Sequence, residues 1–307
     1  VQQEVKVKDA FKRSLKRALV PNRTFKAYRL EKNKKRHQTV YKDQQLELYS
    51  QIFEGGFLHY GYFKDPKTDP MDISFRDVFQ AQWDYAEQIL EHVVDKENPV
   101  FDVGCGMGGL SRMLIDRGYQ TKALTPDEVQ VRYINKTIPD LHVEHCKFED
   151  TPVENYEQHF GTVITSESFQ YLKVDKTLEI MKKILKPGGR WVICDYFKNG
   201  EAFERSGHQW DAFQKKIAEA GGKITYERDI TSNVLVSLKY AHMIGAKIAL
   251  PVTNFLIDKF KVKNPGLFYL TEEVMESIKK STANSLEVFS PERFATEKKY
   301  MLLVVEF

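Results

Sequence analysis

The chain has 307 residues, 42 % apolar and 29 % charged, which suits one large domain or a domain with an attached subdomain and argues against wholesale disorder. No apolar run reaches the roughly 18 residues of a membrane-spanning helix. The first twenty residues lack the apolar stretch of a secretory leader. Cys105, Cys146 and Cys194 have no paired spacing, which excludes a disulfide framework or zinc ribbon and leads us to expect a reducing, cytoplasmic setting and no metal. The net charge of +3 hides an asymmetry. Residues 1–50 carry 14 Lys+Arg against 5 Asp+Glu, a balance of +9, and the remainder carries 32 against 38, a balance of −6.

In chain order, residues 1–19 place Val5, Ala10, Phe11, Leu15, Ala18 and Leu19 near helical spacing, and Pro21 is expected to end that helix. Residues 39–53 predict a second helix, closed by Gly55-Gly56. The basic arm, residues 1–36, reads as peripheral contact with an anionic membrane, as a cover over a site entrance, or as a solvated extension. Nucleic acid is not expected as a partner, because the basic residues do not continue into the body. FLHYGYF (57–63) is a short aromatic segment. A long helix is predicted over 74–94, and Ser74-Phe75-Arg76-Asp77 has the form of its N-cap with an acid at the third position. Tyr62, Phe63, Trp83 and Tyr85 read as core.

From Pro99 short apolar runs alternate with helical patterns. The strands are VFDVG (100–104), QTKALT (120–125), HVEHCKF (142–148), GTVITSES (161–168) and RWVICDYF (190–197), with helices over 108–117, 127–137 and 174–185. That alternation predicts a doubly wound parallel sheet in an α/β fold. Lys186-Pro187-Gly188-Gly189 reads as the turn into the fifth strand. A helix over 205–220, a sixth strand over 223–230 and a final apolar strand, KKYMLLVVEF, follow. Between the last two strands lies a helical insertion, about 232–288, rich in apolar residues. The expected organisation is an arm with entry segment (1–73), a core (74–231), the insertion as a lid (232–288) and the last strand (289–307).

Residues 100–109, VFDVGCGMGG, follow a strand and open a helix. Their glycines allow a sharp turn and close approach of backbone to a ligand. Gly104-x-Gly106-x-x-Gly109 also satisfies a dinucleotide fingerprint, so a nicotinamide-dependent oxidoreductase is one reading. Asp102, two residues before the first glycine, suits a cationic amino group better than a pyrophosphate. The next strand ends in Leu124-Thr125-Pro126-Asp127, with no acid at Thr125 or Pro126 to hold a ribose hydroxyl, which argues against that reading.

With LKPGGRWVICDY downstream, these motifs resemble those of the class I S-adenosylmethionine-dependent methyltransferases over about 57–230. Within that class they resemble the group of cyclopropane-fatty-acid synthases, coclaurine-type N-methyltransferases and tocopherol and sterol C-methyltransferases. The resemblance implies a Rossmann-like seven-stranded sheet and S-adenosyl-L-methionine as cofactor. It implies that Gly104, Cys105 and Gly106 lay backbone against the methionine part, and that Asp102 supports its ammonium end. LTPDEVQ carries cofactor contact onto Thr125 and Gln130, KFED onto Phe148 and Glu149, and TSESFQY onto Ser166. Tyr60 is expected to close the site from the entry segment, with His59 as the alternative one residue away. The bicarbonate-holding residues of the cyclopropane synthases have Tyr60, Gln170 and Cys194 at the matching positions here, which disfavours cyclopropanation.

Methyl transfer from a sulfonium needs orientation and exclusion of water more than activation of the leaving group. A base is required only if the acceptor loses a proton. The candidates are Glu167, Tyr171, Asp195 and His208, with Glu167 foremost because it follows the fourth strand, at the carboxyl edge where such sheets bind ligands. The expected substrate is a small acceptor, hydrophobic or isoprenoid-like, with N- or O-methylation of a small natural product as the alternative. The oligomeric state is not legible.

Overall fold

The computed structural model describes residues 16, 19–32, 44–52, 54–94, 96–200, 207–288 and 290–307. The predicted helix over 1–19 lies outside them but for two residues, as does most of the basic arm. Where the arm is described, Leu19 is helical, Val20 is a bend and Pro21 opens a further helix, Pro21–Lys32, so the proline stands at the end of one helix and the start of the next. Proline lacks only an N–H that a first turn leaves unpaired anyway, so it starts a helix as readily as it stops one. The second helix is seen over 44–52, and Gly55, at φ 76°, follows it.

The chain divides into two compact units, residues 1–45 with 242–288, and residues 46–241 with 289–307. The second unit is built on a sheet of β1 (Val100–Val103), β2 (Thr121–Leu124), β3 (His142–Glu144), β4 (Phe160–Ser166), β5 (Leu185–Lys198), β6 (His208–Gln209), β7 (Lys223–Asp229) and β8 (Lys298–Glu306). Seven run in the order β3-β2-β1-β4-β5-β8-β7, and the two-residue β6 pairs with β5 off that path. The β3 to β5 half is parallel; β8 is antiparallel to both β5 and β7, so the last strand slots between two earlier ones. This is the predicted doubly wound architecture with one reversed strand, β8, inside the β7 edge.

Alternation along the strands creates two cores. Phe101, Val163, Trp191, Ile193 and Leu303 share one with the helices Val174–Ile184 and Trp210–Glu219. Val100, Ile164, Val192, Tyr300 and Leu302 share the other with the helices Phe75–Leu90 and Gly109–Asp116. Val234 and Leu238, from the first turns of the predicted insertion, belong to this second core. Trp191 is fully buried, and its indole N–H donates to Thr165 Oγ1 at 3.0 Å. Trp191→Ala is expected to cost about 3–5 kcal/mol in denaturant unfolding, from lost burial, a cavity and an orphaned hydroxyl.

The capping box is present as read. Ser74 Oγ accepts from the Asp77 N–H, and the Asp77 carboxylate accepts from the Ser74 N–H at 2.8 Å. Other details differ from the sequence reading. Trp83, expected in the core, is 43 % exposed and hydrogen-bonded to Glu87. Lys186–Gly189 is not a turn ahead of β5 but an irregularity inside it: Phe160 pairs with Leu185 and Thr162 with Arg190, with Gly188 at φ 75° absorbing the extra residues. His208, assigned to a helix, stands on β6, and the following helix starts only at Trp210.

Candidate functional site

At the carboxyl edge of β1, β2 and β4 lies a cavity of about 720 Å³. The turn after β1 forms its floor. The Gly104 and Cys105 N–H groups donate to the Leu124 carbonyl, at 2.8 and 3.1 Å, which ties the turn to the end of β2. Gly104 has φ 80°, and a Cβ there would lie 2.3 Å from Ser168 Cβ; Ser168 itself donates to the Val103 carbonyl at 2.5 Å. Gly106, at φ 58°, is in the left-handed region too, but a Cβ there would meet only Leu58, at 3.4 Å. Gly109 serves a different purpose: its missing side chain admits Gly55, Gly56 and Phe57, so the entry segment packs onto the helix start.

Asp102 lies behind this turn, 2 % exposed, and its Oδ2 accepts from Ser111 Oγ at 2.6 Å. Burial raises its carboxyl to about 6, with the Ser111 hydrogen bond pulling the other way. It is a buried acid hydrogen-bonded to a neutral hydroxyl, on the wall of a cavity, and it would be relieved by a cation. Thr125 and Gln130 are brought together, Thr125 Oγ1 donating to Gln130 Oε1 at 2.6 Å, and both line the cavity. The helix that carries Gln130, Glu128–Thr137, begins at the Asp127 cap, whose carboxylate accepts from the Val129 N–H. Phe148 is buried against the cavity on a short turn (Phe148–Asp150), and Glu149 beside it accepts from the Lys173 N–H at 3.1 Å. Lys147 and Lys173 also line this end.

Glu167 occupies the opposite wall. Its backbone is left-handed, φ 49°, uncommon for a residue with a side chain and costing roughly 1–2 kcal/mol. Its Oε1 accepts from the Tyr60 N–H at 3.0 Å and from Tyr300 OH at 2.6 Å. Tyr300 OH lies 2.8 Å from Tyr85 OH, which donates to the Cys194 carbonyl and lies 3.3 Å from Ser166 Oγ. Burial raises the Glu167 carboxyl to about 7, against those two hydrogen bonds. A carboxyl that changes protonation near neutrality, on a cavity wall, is equipped to accept a proton.

The remaining candidates are placed as follows. Ser166 and Cys105 line the cavity, as does Tyr171, which is 72 % exposed. Between the two entry-segment alternatives, His59 lines the cavity, whereas the Tyr60 ring stands edge-on to Tyr300 and Phe294. His59 Nδ1 faces the Tyr60 carbonyl at 2.7 Å, so that nitrogen carries the proton; the ring stacks on Tyr85, and burial lowers it to about 4. Asp195 is not on the cavity wall. Its oxygens accept from the Gln170 and Tyr196 N–H groups, and burial raises it to about 8. His208 is also away from the wall, its Nε2 donating to the Phe169 carbonyl at 2.9 Å.

Sequence reasoning missed Ser111, Tyr300 and Ser168. Ser111 had a signal, a hydroxyl in the first turn of the helix that the glycine turn opens. Tyr300 had none: it sits 133 residues from Glu167 and reaches it only because β8 pairs with β5.

Residues 100–189 match the family model described as a methyltransferase domain. An uncharacterized methyltransferase of Staphylococcus carnosus (strain TM300) is 28 % identical over 144 residues, 46 % of this chain and 66 % of the relative. The 2-methyl-6-phytyl-1,4-hydroquinone methyltransferase of Synechocystis sp. is 25 % identical over 154 residues, 48 % of this chain and 46 % of the relative. Among solved structures, the geranyl diphosphate C-methyltransferase of Streptomyces coelicolor A3(2), in complex with Mg2+, geranyl diphosphate and S-adenosyl-L-homocysteine, superposes with a TM-score of 0.60 at 15 % identity, covering 86 % of this chain and 97 % of that one. The chain spans under two thirds of the length of the Staphylococcus relative and 62 % of a second, from Alkaliphilus oremlandii (strain OhILAs). Residues 100–189 thus match a methyltransferase domain, and the sheet around them shares its fold with solved methyltransferases.

Proposed function

We propose that this chain, carrying a class I methyltransferase domain, transfers a methyl group from S-adenosylmethionine to a hydrophobic, isoprenoid-like acceptor. The observation that carries the reading is the shared cavity: the glycine turn with Asp102 behind it on one side and Glu167 on the other. The cofactor, when bound, supplies a methyl group on a sulfonium, which leaves as a neutral thioether. In this reading Gly104, Cys105 and Gly106 let backbone lie against its methionine part. Asp102 holds the ammonium end, Thr125 and Gln130 offer hydroxyl and amide groups, and Phe148 gives an apolar face to the adenine. Glu167 accepts the proton that a carbon, nitrogen or oxygen acceptor loses, and Tyr300 and Tyr85 hold it in place. Ser166 remains a candidate for contact with the cofactor and Tyr171 for the base.

An apolar acceptor is supported by Phe57, Leu58, Leu110, Leu124 and Leu172 in the cavity wall. It is also supported by relatives whose names specify a phytyl hydroquinone and geranyl diphosphate. The test is a screen of lipid, isoprenoid, phenolic and amine extracts with methyl-labelled cofactor. Label in the lipid or isoprenoid fraction is expected. Label confined to amines, or no transfer by protein that binds the cofactor, would overturn the acceptor class.

Cofactor affinity should depend on pH through Asp102. Only the ionised carboxylate attracts an ammonium group, and burial has raised this one to about 6. Affinity for S-adenosylhomocysteine is therefore expected to be flat above pH 7 and to fall up to roughly tenfold per unit below 6. Calorimetric titration of Asp102→Asn is expected to show weak binding without that pH dependence.

A further inference from the structure

The helices Leu250–Lys263 and Pro265–Val288 belong to the other unit, residues 1–45 with 242–288. They run antiparallel: Gly245, at the start of the π-helical stretch Gly245–Ala249 that continues into the first, lies against Leu286, and Asp258 pairs with Lys279 at 3.0 Å. Ile257 and Phe268 are buried in this hairpin. The first helix buries little else. Ile248, Val252, Phe255, Leu256 and Val262 are all exposed, Phe255 at 61 % and Val262 at 81 %. Their spacing, with Lys259 and Lys263, follows i, i+4, i+7, i+8, i+11, i+14, i+15, a single stripe at 3.6 residues per turn. On the second helix Leu270, Val274 and Ile278 are exposed at i, i+4, i+8, with Tyr269 beside them at 78 %. An amphipathic helix in a globular unit turns such a stripe inward; here it faces out.

Two features identify what covers this face. The first is the lysines within the stripe. These are Lys259, over the Phe255 ring at 5.6 Å, and Lys263; Lys261, over the buried Phe268 at 5.0 Å, lies off the stripe. The centre of a protein–protein interface is depleted of lysine. At a lipid surface, lysine stems lie among apolar side chains while their heads reach the phosphates. The second is charge. Of the balance of +11 over residues 1–45 with 242–288, +10 lies in residues 1–45; residues 242–288 carry 6 Lys+Arg against 5 Asp+Glu, with Lys259, Lys261 and Lys263 on the Leu250–Lys263 helix and Glu272, Glu273, Glu276 and Glu287 on the Pro265–Val288 helix. The acid of the Leu250–Lys263 helix, Asp258, is neutralised by Lys279. The Pro21–Lys32 helix of the same unit repeats the pattern, with Phe25 and Tyr28 exposed beside Arg23, Lys26 and Arg29. Among the described residues no helix is long and apolar enough to cross a membrane, so the helices would lie on a bilayer rather than span it.

We infer that the exposed face of the 248–278 hairpin is a docking surface for an anionic lipid bilayer. The apolar stripe enters the acyl boundary and the surrounding lysines meet the headgroups. The inference rests on this face alone and stands whatever the acceptor proves to be.

The test is co-sedimentation of the full chain with phosphatidylcholine vesicles with and without phosphatidylserine. Capture is expected only with phosphatidylserine, weakening as salt shortens the screening length. Phe255→Ser with Leu256→Ser, and separately Lys259→Glu with Lys263→Glu, should each weaken capture at least roughly tenfold. Titration with S-adenosylhomocysteine and thermal melting show that each variant is folded, which exposed positions make readily attainable. Capture by neutral vesicles alike, or capture unchanged in both variants, would overturn the inference. So would absence of capture together with a dimer in sedimentation velocity that the variants lose, which would make this face an interface between two copies. Capture requires no turnover, so failure of the methyltransferase reading leaves this result readable.

Discussion

Glu167→Gln is expected to lower the maximal rate by roughly 10²-fold or more while changing S-adenosylhomocysteine affinity only a few-fold. The amide keeps the size of the side chain and an oxygen for the Tyr60 N–H and Tyr300 OH, so the loss isolates the proton-accepting role. The working form is the carboxylate. With the group raised to about 7, the rate of the parent enzyme should climb about tenfold per pH unit below 7 and level off above it. The variant should lose that limb. The same shift has a stability consequence of defined sign. The folded chain holds this proton more tightly than the unfolded one, so its contribution is present below the ordinary carboxyl range and fades as pH rises through 7. Unfolding midpoints of the variant should accordingly fall less between pH 5 and pH 8. A full wild-type rate on the acceptor would remove Glu167 from the chemistry, and Tyr171 would become the next side chain to examine.

The second large effect is expected at the glycine turn. Gly106→Val should weaken S-adenosylhomocysteine binding on the order of 100-fold or more, because a branched side chain at φ 58° must displace either the backbone or the ligand that lies against it. The fold should survive, since the added carbon meets only the end of Leu58. Gly104→Val is the poorer probe. Its Cβ would sit 2.3 Å from Ser168, so binding would be lost together with packing between β1 and β4. Calorimetry on the folded Gly106 variant is therefore the measurement that decides, and unchanged affinity would sink the proposed cofactor site.

Local patterns were enough for the elements and for half of the site. The alternation of short apolar runs and helical periods after Pro99 specified the parallel half of the sheet, because each strand buries both faces and each helix only one. The glycines of 104–109 and the Asp102 carboxylate stood out because they occupy one strand end and the turn after it; Thr125 and Gln130 were carried over by the resemblance, and the structure brings them to 2.6 Å. Side-chain geometry over so few residues follows from the backbone that they themselves dictate. Where the signal was local but two-sided, the reading was incomplete: Pro21 follows a helical Leu19 and a bend at Val20, and it also opens the helix Pro21–Lys32.

Long-range pairing supplied the rest. Glu167 could be singled out as an acid after a strand, but not its protonation near neutrality. That property comes from burial, where β8 and the entry segment close over the carboxyl, and it holds against the hydrogen bonds from Tyr300 OH and the Tyr60 N–H, which pull the other way. The same holds for Asp195 and His208, whose residue types suited catalysis until the fold gave their polar atoms to backbone groups away from the cavity. The helical hairpin shows the opposite limit. Its helical, apolar pattern was plain, and it read as a lid whose apolar residues form a pocket wall. A periodic pattern reports that a face is apolar; which way the face points depends on what is packed beneath it, and here Ile257 and Phe268 are beneath while Val252, Phe255 and Val262 are outside.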